Sequence, residues 1–152
     1  MNAARLLLLV ALAGTPLLVF SQQAQAPLAS QSTRWEGVTA DVTEFKRKGT
    51  TLTARLRLHN DGPKEALVEL GYQKCYVLDS GAGKKYEVLT DSEGHAIAAV
   101  NSGDRGWRDH ITPGQAQVIW MKFPAPPATT KAVTLTIEGI PPFDDLAIQD
   151  VP

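Results

Sequence analysis

Thiols and imidazoles are scarce in this sequence, which has one cysteine, Cys75, and three histidines. A single thiol closes no internal disulfide, so the folded part must rely on its core for stability. His59, His95 and His110 are widely separated and no two stand at ligand spacing, which argues against zinc or copper. With two methionines, a soft copper site on Met and His is equally poorly supplied. There is no G-x-S-x-G elbow and no glycine-rich phosphate loop. Asp79-Ser80-Gly81 and Asp91-Ser92-Glu93-Gly94 begin like calcium loops but do not continue into the ligand pattern, so each reads as a turn. The expectation is no catalytic residue, no metal and no cofactor.

Excess charge is missing too. The chain has 15 basic and 16 acidic residues. Residues 1–26 carry only Arg5, so without them fourteen basic residues face sixteen acidic ones, a net charge of −2. A nearly neutral chain has no electrostatic reason to hold nucleic acid or an anionic membrane. Helical periodicity is absent as well: beyond Trp35 no segment repeats apolar residues at helical spacing over three turns.

What is present begins with Arg5, the sole charge before Arg34, followed by an apolar run from Leu6 to Phe20. That is the shape of a secretory signal. A membrane span needs about 20 residues, and Pro16 interrupts this shorter run. A signal peptide over residues 1–26 is expected, cut near 21 or 26, because Ala24-Gln25-Ala26 has the small-x-small pattern while Val19-Phe20-Ser21 competes with it. The mature protein is then periplasmic or secreted, with no membrane insertion. Residues 27–34 are small, polar and without period, and read as a flexible leader. Residues 35–150 form the one expected domain.

In that domain short runs of valine, threonine and aromatics are interrupted by Gly, Pro, Asn or Asp. This rhythm belongs to sandwiches and barrels. The clearest strand is Thr51 to His59, where Leu52, Ala54, Leu56 and Leu58 alternate with Thr53, Arg55 and Arg57. Val38 to Phe45 precedes it across a hairpin at Lys46-Arg47-Lys48-Gly49, and Asn60-Asp61-Gly62-Pro63 turns the chain after it. Ala66 to Leu70 and Gln73 to Leu78 read as one bent strand with Gly71 at a bulge. Lys84 to Leu89 reads as its hairpin partner, Ala96 to Val100 as a short edge strand and 101–112 as loop. Gln115 to Phe123 carries apolar residues on both faces, which predicts a central, covered strand. Val133, Leu135 and Ile137 alternate in the next, and a last strand runs from Asp145 to Gln149. The expected fold is all-β, a two-sheet immunoglobulin-like sandwich of about seven to nine strands.

Three stretches carry a family resemblance: Leu52 to Gly62, Tyr76-Val77-Leu78-Asp79-Ser80-Gly81 with Lys85-Tyr86, and Ile111-Thr112-Pro113-Gly114 leading to Trp120-Met121-Lys122-Phe123 and Val133-Thr134-Leu135-Thr136-Ile137. Through them the chain resembles exported bacterial immunoglobulin-like domains of the DUF4352 or MPT63-like type, over most of residues 36–149. The resemblance implies export and a sandwich fold and transfers no catalytic residue. The lipid-attachment cysteine of many relatives has no counterpart near the apolar run.

The most unusual stretch is Asn101 to Arg108, a glycine-rich loop in which Asp104, Arg105, Trp107 and Arg108 are the candidate binding residues. Loops on a rigid scaffold carry recognition, and Trp with Arg is enriched where interfaces concentrate energy. The competing reading tucks Trp107 into the core edge. Cys75 reads as a buried inert thiol, or else as a free one that pairs with another chain in a disulfide. Lys46, Arg47, Lys48, Arg55 and Arg57 read as a solvated hairpin face. The function expected is a non-catalytic interaction module, monomeric or weakly associating, whose partner is a protein or envelope component. The alternative is a periplasmic protein that handles a small ligand or metal.

Overall fold

Alternation in the clearest strand sorts its side chains as it predicts. In a computed structural model that describes residues 26–103 and 105–152, Leu52, Ala54, Leu56 and Leu58 are fully buried while Arg55 and Arg57 face outward. The expected signal peptide, apart from Ala26, lies outside the described residues, and so does Asp104.

Eleven strands follow one another among the described residues: β1 (Ala29–Ser32), β2 (Val38–Lys48), β3 (Thr51–Asn60), β4 (Ala66–Gly71), β5 (Tyr76–Asp79), β6 (Lys84–Glu87), β7 (Gly106–Ile111), β8 (Ala116–Pro124), β9 (Ala132–Ile137), β10 (Ile140–Ala147) and β11 (Gln149–Asp150). One 3₁₀ turn, Tyr72–Lys74, separates β4 from β5. The first sheet has the order β1-β2-β3-β8, with β11 pairing β2 in parallel, and the second has the order β10-β9-β5-β6. The strands β4 and β7 form a separate two-stranded ribbon. Phe45, Leu56, Ile119 and Phe123 from the first sheet meet Val77, Leu135, Ile137 and Phe143 from the second in one core, which Val68, Leu70 and Trp107 of the ribbon extend. The fold is an all-β sandwich, built by stacking the apolar faces of half-buried sheets.

Several expected elements differ. Residues 27–34 are not a flexible leader throughout, because Ala29 to Ser32 pair antiparallel with Val42 to Thr39. An edge strand with one partner needs no apolar alternation, and the Ser30 hydroxyl donates to Asp41 at 2.8 Å. With β1 and the short β11 the count passes the expected seven to nine. The 101–112 stretch is not all loop, since β7 starts at Gly106 and pairs Leu70 with Trp107 and Ala66 with Ile111. The bent strand at Gly71 is broken by the 3₁₀ turn instead of a bulge. The last long strand starts at Ile140, before the two prolines, because β10 is an edge strand and bulges between Ile140 and Leu146. Ala96 to Val100 makes only isolated bridges, Thr90 to Ala96 and Ala98 to Met121.

The strand β8 is not central. It ends its sheet, and its outer edge is covered by irregular chain through bonds from Leu89 N–H to the Lys122 carbonyl (2.8 Å), Lys122 N–H to the Ile97 carbonyl (3.0 Å) and Ala99 N–H to the Trp120 carbonyl (2.8 Å). Apolar residues on both its faces therefore do not mean two covered faces: Val118 is 52 % exposed.

Candidate functional site

The ribbon ends where Gly71 lies opposite Gly106, and there a cleft of about 720 Å³ opens. Glycine is needed at 106, because a Cβ there would stand 2.9 Å from the Leu70 carbonyl oxygen. A strand edge leaves backbone groups unpaired, and here side chains take them. The Glu138 Oε2 accepts the Gly71 N–H at 2.7 Å, and the Arg34 Nη2 donates to the Glu69 carbonyl at 2.9 Å. The other Glu138 oxygen, Oε1, accepts from Lys74 Nζ at 2.6 Å and lies 3.8 Å from Arg34 Nη1. Glu138 thus ties the end of β9, the 3₁₀ turn and the chain before β2 into one wall of the cleft.

The Lys74 hydrogen bond, helped by the Gly71 N–H and the charges of Lys74 and Arg34 and opposed by burial, holds the Glu138 carboxyl below its ordinary value of 4.5. A depressed carboxyl adds stability above the unfolded value, and that stability is lost as pH falls through the folded one. Glu138→Gln should therefore lower the melting temperature at pH 7 and flatten its decline below about pH 4.5. A melting series from pH 7 to pH 3 checks both.

Of the candidate residues drawn from the sequence, Arg105 and Trp107 line this cleft. Arg105 is exposed, its carbonyl accepts the Tyr72 N–H at 2.9 Å, and among the described residues no carboxylate pairs with its guanidinium. Trp107 is only 5 % exposed and is not a projecting anchor: position 107 falls on the ribbon face that also buries Val68, Leu70 and Ile111. Arg108 points to the other face, 3.9 Å from Glu69, with its N–H bonded to the Asn101 side chain at 2.7 Å. Arg34, Lys74 and Glu138 were missed. They lie far from residues 101–108 in sequence, and each alone is an ordinary surface charge.

The three histidines are engaged locally. His59 stands 3.2 Å from Asp41 and 2.7 Å from Asp61, His95 is 3.2 Å from Asp91, and His110 is 2.8 Å from Glu65. Among the described residues no group of three or more His, Cys, Asp and Glu side chains is placed to hold a metal ion. Cys75 is a free thiol and 0 % exposed, the buried position that one of its two sequence readings expects. Burial, with the neighbouring Glu138 carboxylate adding to it, pushes its thiol up to about 11. The Tyr72 hydroxyl donates to the Ala99 carbonyl, and burial raises it above the ordinary range.

The expected basic hairpin face loses a member, because Arg47 turns inward to 5 % exposure. On the outer face of the first sheet Glu44, Thr53, Arg55, Trp120 and Lys122 line a second, shallower depression of about 320 Å³.

Compared by sequence, the chain matches no family profile and no curated protein. Among solved structures it is similar to a functionally unknown protein from Listeria monocytogenes EGD-e, at 12 % identity and a TM-score of 0.40, over 79 % of this chain and 87 % of that one.

Proposed function

We propose that this chain is an exported, non-catalytic interaction module of the cell envelope or extracellular space, and that the ribbon-end cleft receives its partner, a protein or envelope component. The observation that carries the reading is Arg105, a guanidinium without a carboxylate partner among the described residues, at a cleft whose wall is fixed by Glu138. An unpaired cation beside a fixed polar wall offers charge complementarity to an acidic group. Two groups with nucleophilic chemistry, the Cys75 thiol and the Tyr72 hydroxyl, are buried and kept protonated, which fits a non-catalytic reading. Export rests on the charge and apolar pattern of residues 1–26.

The test is affinity capture from native envelope extract with wild type, Arg105→Glu and Lys84→Glu. Lys84 is exposed on β6 and lines no part of the cleft. Wild type and Lys84→Glu should recover the same partner, and Arg105→Glu should recover at least about tenfold less of it. Equal recovery by all three would remove the cleft from the reading.

A further inference from the structure

We propose that the outer face of the five-stranded sheet binds an acidic polysaccharide, with Trp120 stacking on a sugar ring and Arg55 and Lys122 holding its carboxylates. Strand alternation places Thr53 and Arg55 of β3 with Trp120 and Lys122 of β8 on the side away from the core. Arg55 lies directly opposite Trp120, Thr53 opposite Lys122, and Glu44 of β2 opposite Arg55. Together they line the depression of about 320 Å³, and the next residue of that face along β8, Val118, is 52 % exposed.

Charge decides what fits there. The acids of this face already have partners: Glu44 stands 3.4 Å from Lys46, and Asp41 takes His59 at 3.2 Å and Arg57 at 3.7 Å. Among the described residues no carboxylate pairs with Arg55 or Lys122. Two cations with no carboxylate at ion-pair distance among the described residues thus flank one indole in a shallow depression, whose one acid, Glu44, is drawn to Lys46. A guanidinium grips a carboxylate with two parallel hydrogen bonds, and an aromatic face accepts a flat apolar one. A uronate unit offers both, an apolar C–H face and a carboxylate at its edge, and repeats them along a chain. Neighbouring side chains on such a face are about 5 Å apart across strands and about 7 Å apart along them, which suits an extended ligand of that repeat. Single-stranded nucleic acid fits less well, since it requires successive stacking rings along a continuous cationic groove. An acidic peptide supplies carboxylates without the ring. The face shares no residue with the ribbon-end cleft, so the two sites fail or stand separately.

The experiment titrates the full chain, by calorimetry and tryptophan fluorescence, with a galacturonate oligosaccharide, a galactose oligosaccharide of equal length and single-stranded DNA. Saturable, salt-weakened binding of the galacturonate is expected, at least about tenfold tighter than of the other two. Trp120→Ala should lower that affinity by about tenfold or more, the weight of one stacked ring. Arg55→Gln with Lys122→Gln should abolish the preference for the acidic sugar at an unchanged melting temperature. If Trp120→Ala fails to fold, Trp120→Phe, expected to retain part of the affinity, and the charge variant carry the test. No saturable binding of galacturonate, equal affinity for the neutral sugar, tighter binding of DNA, or an acid preference that survives the charge variant would each overturn the proposal.

Discussion

Asn60→Asp should destabilise the protein by about 3 kcal/mol and lower its melting temperature by roughly 10 °C, although the two side chains have the same shape. Asn60 ends β3 and is 0 % exposed. Its Nδ2 donates to the carbonyls of Lys64 and Ile111, both at 2.7 Å, and its Oδ1 accepts the Gly62 N–H at 2.9 Å. Its main chain is used as well, with its N–H on the Gln115 carbonyl at 3.0 Å and its carbonyl receiving the Gly114 N–H at 2.8 Å. One side chain therefore joins the end of β3, the turn before β4 and the end of β7. A carboxylate keeps the acceptor and loses both donors. It faces two carbonyl oxygens with nothing to give them, and a buried group left without its partner loses far more than one bond is worth net. The turn has no slack to adjust, since a Cβ on Gly37 would stand 2.6 Å from the Gly62 Cα. Denaturant titration of the two proteins measures the difference. A loss under about 1 kcal/mol would mean that water serves those carbonyls and that Asn60 is not the tie described.

Arg47→Ala should cost a similar amount, about 3 kcal/mol, and Arg47→Lys should recover only part of it. The Arg47 side chain is 5 % exposed, the only arginine or lysine so buried among the described residues. Its Nη1 donates to the carbonyls of Pro126 (3.1 Å), Pro127 (2.8 Å) and Thr130 (3.1 Å), and its Nη2 reaches Asp150 at 2.9 Å. The guanidinium fork therefore fastens the proline-rich connection between β8 and β9 and the terminal strand β11 onto β2. A lysine ammonium is a point charge and cannot span this set of acceptors. Asp150→Asn should be far milder than either, because Asp150 is half exposed and the carbonyl bonds survive its loss. Comparable losses for Asp150→Asn and Arg47→Ala would show that the ion pair, not the carbonyl cradle, dominates.

Neither role was visible in the sequence. Arg47 sits among Lys46, Lys48 and Gly49 in what reads as a solvated hairpin, and its acceptors are 79 to 103 positions away. Asn60 opens an Asn-Asp-Gly-Pro turn, which local chemistry already explains. What the sequence does reveal is any strand with one wet and one dry face, such as β3 and β9, because period two with apolar residues in phase has a single structural meaning. Strands without that contrast stay hidden. β1 is a short edge strand of alanine, serine and glutamine with no large apolar residue, and β7 opens on glycine and interrupts its buried set with Asp109. Trp107 could be noticed, but its direction depended on recognising β7. The cleft was half legible: Arg105 drew attention through its odd neighbourhood, whereas Arg34, Lys74 and Glu138 meet only once the sheets are stacked.

The proposed function stands on the ribbon-end cleft, and contact in the native setting tests it most directly. A photo-crosslinking amino acid placed at Ser102, on the rim of the cleft, should yield a discrete adduct with an envelope or extracellular component upon irradiation of intact cells. The same group at Ser80, exposed in the turn between β5 and β6, should yield none. An adduct from Ser80 equal to that from Ser102, or no adduct from Ser102 at all, would contradict the account.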